Sequence, residues 1–191
     1  PLASSLGYTS VDENVGALKN TGFEIELKGT IIDVKDFKWN MGLNLTHYKN
    51  KVTELPLKDM PQGSFTKLQE GRSVYDFYLK EWAGVNPDNG EPLWYMNQKD
   101  ENGHTIKVTT NDYSKANYYF VNKSSLPKVY GGFNINLSYK AFDLSTVFSY
   151  SLGGKVLDSS YRGLMDVGEF GYAMSPDLHN AWTTPGQITD V

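Results

Sequence analysis

Phe23-Glu24-Ile25-Glu26-Leu27-Lys28, running on through Gly29 and Thr30 to Ile31, alternates apolar with polar residues, and so does Phe37-Lys38-Trp39-Asn40-Met41-Gly42-Leu43-Asn44-Leu45-Thr46 after a tight turn at residues 33–36. The period is two, sustained for roughly ten residues on each side of the turn, which is the spacing at which successive side chains leave opposite faces of a strand. Strands of about 9–11 residues with one apolar and one polar face have the length and pattern to cross a bilayer within a barrel.

The pattern returns further along. Phe133, Ile135, Leu137 and Tyr139 alternate with Asn134, Asn136 and Ser138, the chain turns at Lys140-Ala141, and Phe142, Leu144, Phe148 and Tyr150 continue against Asp143, Ser145 and Ser149. Thr146 and Val147 are the pair out of keeping. Hairpins are therefore expected at about 22–48 and 129–150. Residues 1–21, rich in Ser, Gly, Asn and Asp, read as a loop leading into the first strand. Long segments occupy about 50–128 and 151–191, the former with a turn at Asn86-Pro87-Asp88-Asn89-Gly90 and a hairpin tipped by Asn102-Gly103. Outer-membrane barrels have short periplasmic turns and long extracellular loops, so the tight turns are expected on the periplasmic side. On the apolar face, Phe37, Trp39, Tyr139 and Phe142 lie toward the tight turns. Phe23, Phe133, Phe148 and Tyr150 lie toward the long segments, with aliphatic residues largely between. That is the arrangement of two aromatic girdles around a hydrocarbon band. A soluble antiparallel sheet packed on a core gives the same alternation. Its strongest form is a soluble β-sandwich that binds carbohydrate at a cell surface, and it requires Leu43, Ile135 and Leu144 to be buried.

Composition narrows the classes. A net charge of −4 offers no basic field, which sets nucleic acid aside as partner. With no Cys there are no disulfides, thiolate metal sites or Cys nucleophiles. No run of 18 apolar residues exists to make a membrane helix, a test that a barrel escapes because half of each strand is polar. The chain begins at Pro1 without a basic and apolar leader, so a secretory signal is expected to have been removed or to lie upstream. Chemistry finds little support. The oxygen-rich runs at 86–91 and 100–103 lack the twelve-residue calcium pattern and read as turns. His47, His104 and His179 are scattered rather than spaced as metal ligands. Glu24 and Glu26, about 7 Å apart on one strand face, read as a polar row rather than a glycosidase pair. No catalytic residue, metal or cofactor is expected. Trp82, Trp94, Tyr95, Tyr118, Tyr119 and Trp182 lie in the long segments, where rings either contact a ligand or partner or hold the loops together.

Several ordered segments resemble the SusC/RagA family of TonB-linked outer-membrane proteins. They are Asn14-Val15-Gly16-Ala17-Leu18-Lys19-Asn20-Thr21-Gly22-Phe23-Glu24, Phe37-Lys38-Trp39-Asn40 and Asn50-Lys51-Val52-Thr53-Glu54-Leu55. Glu70-Gly71-Arg72-Ser73, the stretch Trp82 to Trp94, Tyr130-Gly131-Gly132-Phe133, Tyr150 to Val156 and Ala181-Trp182-Thr183-Thr184-Pro185-Gly186 follow in order. The resemblance implies an all-β C-terminal portion of a TonB-dependent receptor barrel in the bacterial outer membrane, in contact with lipid, with the plug domain outside this sequence. It further implies import of oligosaccharides or peptides, with a SusD-like lipoprotein over the mouth and TonB acting through the plug. Glu24, Glu26, Lys28, Asn40 and Asn44 are then expected to face the lumen. In isolation, two open edges and an apolar face are expected to drive aggregation or pairing.

Overall fold

The computed structural model describes residues 16–167 and 170–191. In chain order the strands are β1 (Ala17–Val34), β2 (Phe37–Glu54), β3 (Asp59–Gln62), β4 (Thr66–Gln69), β5 (Asp76–Lys80), β6 (Trp82–Val85), β7 (Pro92–Lys99), β8 (Thr105–Thr110), β9 (Tyr118–Ser124), β10 (Val129–Tyr139) and β11 (Phe142–Leu152). A short helix α1 (Ser159–Leu164) and a 3-10 turn (Pro176–Asn180) follow. The expected leading loop lies outside the described residues as far as residue 15, and from Ala17 the chain is already strand, which corrects the loop reading of 17–21. The chain divides into two compact units, 1–76 with 126–154 and 77–125 with 155–191.

The first unit is built on a four-stranded antiparallel sheet in the order β1-β2-β10-β11. Its register turns the alternation into rows that cross the strands. Leu27, Leu43, Phe133 and Phe148 form one apolar row, and Val34, Phe37, Tyr139 and Phe142 another. Between apolar rows run polar ones: Glu26, Asn44, Gly132 and Ser149, then Thr30, Asn40, Asn136 and Ser145. A register shift between Thr30 and Ile32 inserts Ile31 as an extra residue, so that Ile32 meets Trp39. Without that bulge Ile32 and Val34 would face the polar side; with it they rejoin the apolar one. Thr146 falls in the row of Met41 and Ile135, and its hydroxyl turns to the Ile135 carbonyl at 3.5 Å. Val147 stands among polar residues, exposed on an edge strand. The two tight turns sit side by side, tied by Lys140 N–H donating to Asp36 C=O at 2.9 Å.

Among the described residues, neither face of this sheet is packed on a core. On the apolar side Leu27 is 60% exposed, Leu144 56% and Phe142 78%. Leu43 and Ile135 are half-buried, so the burial that the soluble sandwich requires is not met. What core there is lies at the far end of β2. There Val52, at 1% exposure, borders an apolar hollow lined also by Leu18, Leu55, Leu68 and Val74. Val52 is also pinned by backbone: its N–H donates to Arg72 C=O at 2.8 Å and its C=O accepts from Gly71 N–H at 2.9 Å.

The second unit holds a meander β6-β7-β8 and the adjacent strands β5 and β9. Pairing of Lys99 with Thr105 closes the hairpin expected around Asn102-Gly103. At its tip the Asp100 carboxylate accepts from the N–H groups of Asn102 (2.9 Å) and His104 (2.7 Å). The oxygen-rich run therefore serves turn chemistry.

One glycine in the sheet does specific work. Tyr150 is paired with Gly131, and its hydroxyl donates across β10 to the Asn44 carbonyl of β2 at 2.8 Å. A β-carbon at Gly131 would fall onto the Asn44 carbonyl oxygen itself and lie 2.9 Å from that hydroxyl oxygen. Gly131→Ala is expected to cost about 1–3 kcal/mol by pressing on the β2 backbone at Asn44 and displacing the ring, and Tyr150→Phe, which loses only the hydrogen bond, about 0.5–1.5 kcal/mol. Urea unfolding of the two variants in detergent measures both; a Gly131→Ala cost below that of Tyr150→Phe would show that neither the β2 backbone nor the ring depends on the bare α-carbon.

Candidate functional site

The residues expected in the loops fall into two ring clusters, with Trp182 apart from both. On one face of β7, Trp94 meets Trp82 edge-on at 5.5 Å between centroids and Tyr113 at 5.1 Å. The Lys80 ammonium stands 3.8 Å over the Tyr113 ring and 5.5 Å from Tyr118. It also donates to the Tyr113 carbonyl at 2.6 Å. Tyr118 in turn stacks on Tyr78, and Tyr78 meets Phe120 at 4.9 Å. Six rings and one cation thus form a continuous row in which Trp82, Tyr113 and Tyr118 stay exposed. Such rows offer polarisable faces and, through Lys80, a positive charge in partly desolvated surroundings.

The neighbouring residue Tyr95 belongs to the second cluster. Lys107 lies 4.1 Å over Tyr95 and 4.7 Å over Tyr119, and pairs with Glu81 at 2.6 Å. Tyr119 donates its hydroxyl to Asn97 at 2.9 Å. Burial pushes the Tyr119 hydroxyl above its ordinary pKa, with Lys107 opposing. The successive residues Trp94 and Tyr95 therefore point to opposite sides of one strand, as a period of two demands. Tyr113, Lys80 and Lys107 were not singled out by the sequence pattern. Tyr113 reaches the rings from a turn, Lys80 and Lys107 from neighbouring strands, and no periodicity signals either meeting.

The turn that presents Tyr113 is fixed by Asp112. Its carboxylate accepts from the Ser114 hydroxyl (2.6 Å) and Ser114 N–H (2.9 Å), with Lys115 at 3.1 Å. The Ser114 hydroxyl first, and then Lys115, hold the carboxyl down at about 2. On the sheet, Glu24, Glu26, Lys28, Asn40 and Asn44 all lie on the polar face. Glu26 and Lys28 pair at 2.6 Å while both remain exposed, and Thr30 donates to Asn40 at 2.8 Å. Among the described residues no cluster of three or more His, Asp or Glu is arranged to hold a metal.

Comparison with known proteins places this geometry. No family model matches the chain. The TonB-dependent receptor P3 of Formosa agariphila is 29% identical over 206 residues, spanning all of this chain and 20% of the relative. The TonB-dependent receptor SusC of Bacteroides thetaiotaomicron is 28% identical over 158 residues, 75% of this chain and 15% of its own length. A solved structure of the RagAB peptide transporter superposes on the whole chain with a TM-score of 0.82 and 32% identity, over 21% of the transporter chain. The RagAB peptide importer in its open-open state gives 0.75 and 30%. The chain is part of a SusC/RagA-type TonB-dependent receptor. It spans about a fifth of the length of the curated relatives it matches.

Several of the segments by which the sequence resembles this receptor family supply scaffold contacts. Asn50 accepts from the Ser73 hydroxyl (3.2 Å) and Val74 N–H (3.0 Å), and Glu70 accepts from Leu55 N–H (2.9 Å), so Glu70-Gly71-Arg72-Ser73 clasps the end of β2. Likewise Trp182 donates its indole N–H to Pro87 C=O at 3.0 Å and rests its ring on Gly90, while Gly186 N–H donates to the same carbonyl at 2.8 Å. In the first segment, Asn14 and Val15 lie outside the described residues.

Two outcomes follow for the receptor. Gly90→Ala and Trp182→Ala are each expected to speed hydrogen exchange at the Gly186 amide, and the double variant no more than either alone, with a coupling in the range of about 0.5–3 kcal/mol. Additive effects would separate the ring from the glycine. For Asp112, a depressed pKa means that the carboxylate's contribution to the turn is complete above the ordinary aspartate value of about 4. It is lost as pH falls toward about 2. Carbon-detected NMR should find that low midpoint in the native chain and a clear rise toward the ordinary value in Ser114→Ala.

Proposed function

We propose that this chain supplies four wall strands and extracellular loops of an outer-membrane importer for oligosaccharides or peptides. Residues of about 22–48 and 129–150 form wall, and about 50–128 and 151–191 form mouth. The carrying observation is a sheet that leaves its apolar face uncovered: Phe142, Leu144, Leu27 and Phe23 are all exposed. Lipid is the solvent for which such a face needs no further partner.

Dimensions support the reading. From Phe37 in the row of Tyr139 and Phe142 to His47 opposite Phe23 is ten residues of β2. At about 3.3 Å per residue and a strand tilt near 40° this rises about 25 Å, the height of an outer-membrane apolar band. The polar face, with Glu24, Glu26, Lys28, Asn40 and Asn44, then lines the lumen, and the two tight turns face the periplasm.

At the mouth, the row containing Trp82, Trp94 and Tyr118 and the cluster containing Tyr95 and Tyr119 are the contacts for substrate or for a SusD-like lipoprotein. Trp182 acts there by holding the 86–91 turn. Energy comes from TonB through the plug. The work of this segment is passage and recognition, not bond chemistry.

In the full-length receptor, Ile135→Arg on the lipid side is expected to cost about 2–4 kcal/mol, and Asn40→Arg on the lumen side far less, while altering passage. Folded receptor in outer-membrane fractions and uptake of labelled oligosaccharides and peptides measure the two effects. Equal tolerance of both substitutions would remove the wall assignment, and uptake unaffected by deletion of the receptor would remove import.

A further inference from the structure

The chain carries two Asn-Gly pairs, both in turns of the second unit and both followed by strand or strand-like backbone, yet their surroundings differ sharply. At the first, the Asn89 side chain is held at both ends: its amide N–H donates to Glu91 Oε2 at 3.0 Å and its amide oxygen accepts from Glu91 N–H at 3.1 Å. Glu91 is itself steadied by Asn111 at 3.0 Å, and Gly90 lies under the Trp182 ring. At the second, Asn102 and Gly103 are both exposed at the tip of β7 and β8. Asn102 uses its backbone N–H on Asp100, and its side chain makes no hydrogen bond among the described residues. Nothing lies within 4 Å of a β-carbon built at Gly103.

We propose that Asn102-Gly103 is a site of spontaneous covalent modification in this protein, and that Asn89-Gly90 is protected from the same reaction by its hydrogen bonds. The chemistry needs only water and base. The Gly103 amide nitrogen, after loss of its proton, attacks the side-chain carbonyl carbon of Asn102. A five-membered imide forms and the side-chain nitrogen leaves as ammonia. Water then opens the ring at either carbonyl, giving aspartate or isoaspartate at position 102. Glycine favours the step because no side chain blocks approach of its nitrogen.

Both glycine N–H groups must first leave a turn hydrogen bond, Gly103 from Asp100 C=O (3.0 Å) and Gly90 from Asn86 C=O (2.8 Å). The amide side chain decides between them. Asn102 is free to swing its carbon onto the nitrogen, whereas Asn89 must break both contacts to Glu91. The product places a third carboxylate next to Asp100 and Glu101, making an acidic patch at a hairpin tip. In the isoaspartate form it also inserts an extra backbone carbon into the turn.

The test is peptide mapping by mass spectrometry of the full-length receptor in detergent, aged at mildly alkaline pH in oxygen-18 water. Heavy-oxygen incorporation is expected at position 102 at least on the order of tenfold faster than at 89, the factor set by two amide hydrogen bonds that must open first. Glu91→Ala, which takes away the carboxylate partner of Asn89, is expected to raise the rate at 89. Equal rates at the two sites, or faster reaction at 89, would overturn the proposal. So would an unchanged rate at 89 in the Glu91→Ala variant.

Discussion

Everything in the first unit depends on the pairing register of β1, β2, β10 and β11. With a side-chain period of two, a slip of one residue in any pair would carry its whole apolar set to the opposite face. The register is held by features that break the regularity. Ile31 bulges so that Ile32 and Val34 recover the apolar side. The two tight turns are joined through Asp36 and Lys140, and Tyr150 spans β10 to reach β2 over a glycine. A regular ladder alone would leave the strands free to slide. These three contacts give the sheet one arrangement.

That arrangement makes sense only in particular surroundings. Among the described residues the apolar rows are uncovered, and β1 and β11 stand at the edges of their sheet, each with one side of its backbone facing outward. In water both conditions drive association. In a closed barrel within lipid both disappear, since the edges pair with further strands and the apolar rows meet acyl chains. The match to SusC/RagA-type receptors over a fifth of their length fits this physical requirement.

The sheet was therefore legible in the sequence, because a half-polar strand writes its face directly into alternate residues, as Phe37 to Leu45 do. Less legible were features that rest on single contacts. The bulge at Ile31 leaves no mark except two consecutive isoleucines, and nothing in Lys80 or Lys107 as residues announces that each will stand over tyrosine rings. The loop strands β5 to β9 are short, and two of the segments that most resembled a family, 82–94 and 181–186, meet each other through Trp182, Pro87 and Gly90. Contacts between residues 95 apart in sequence are set by chain topology, which periodicity does not encode.

The division between scaffold and surface in the loops decides which substitutions they tolerate. Glu70, Asn50, Gly90 and Trp182 are committed to backbone partners or to close approach, so replacing them alters where the loops lie. Trp82, Tyr113 and Tyr118 each keep an exposed face and spend their contacts on one another and on Lys80, so replacing one of them alters what the surface offers while the strands beneath keep their pairing. A ring row supported by cation contacts rather than by a hydrophobic core has this consequence: its stability is shared among many weak pairs of about 0.5–1.5 kcal/mol each. Single changes of ring are then tolerated, whereas a change that shifts the register of β1, β2, β10 and β11 is not.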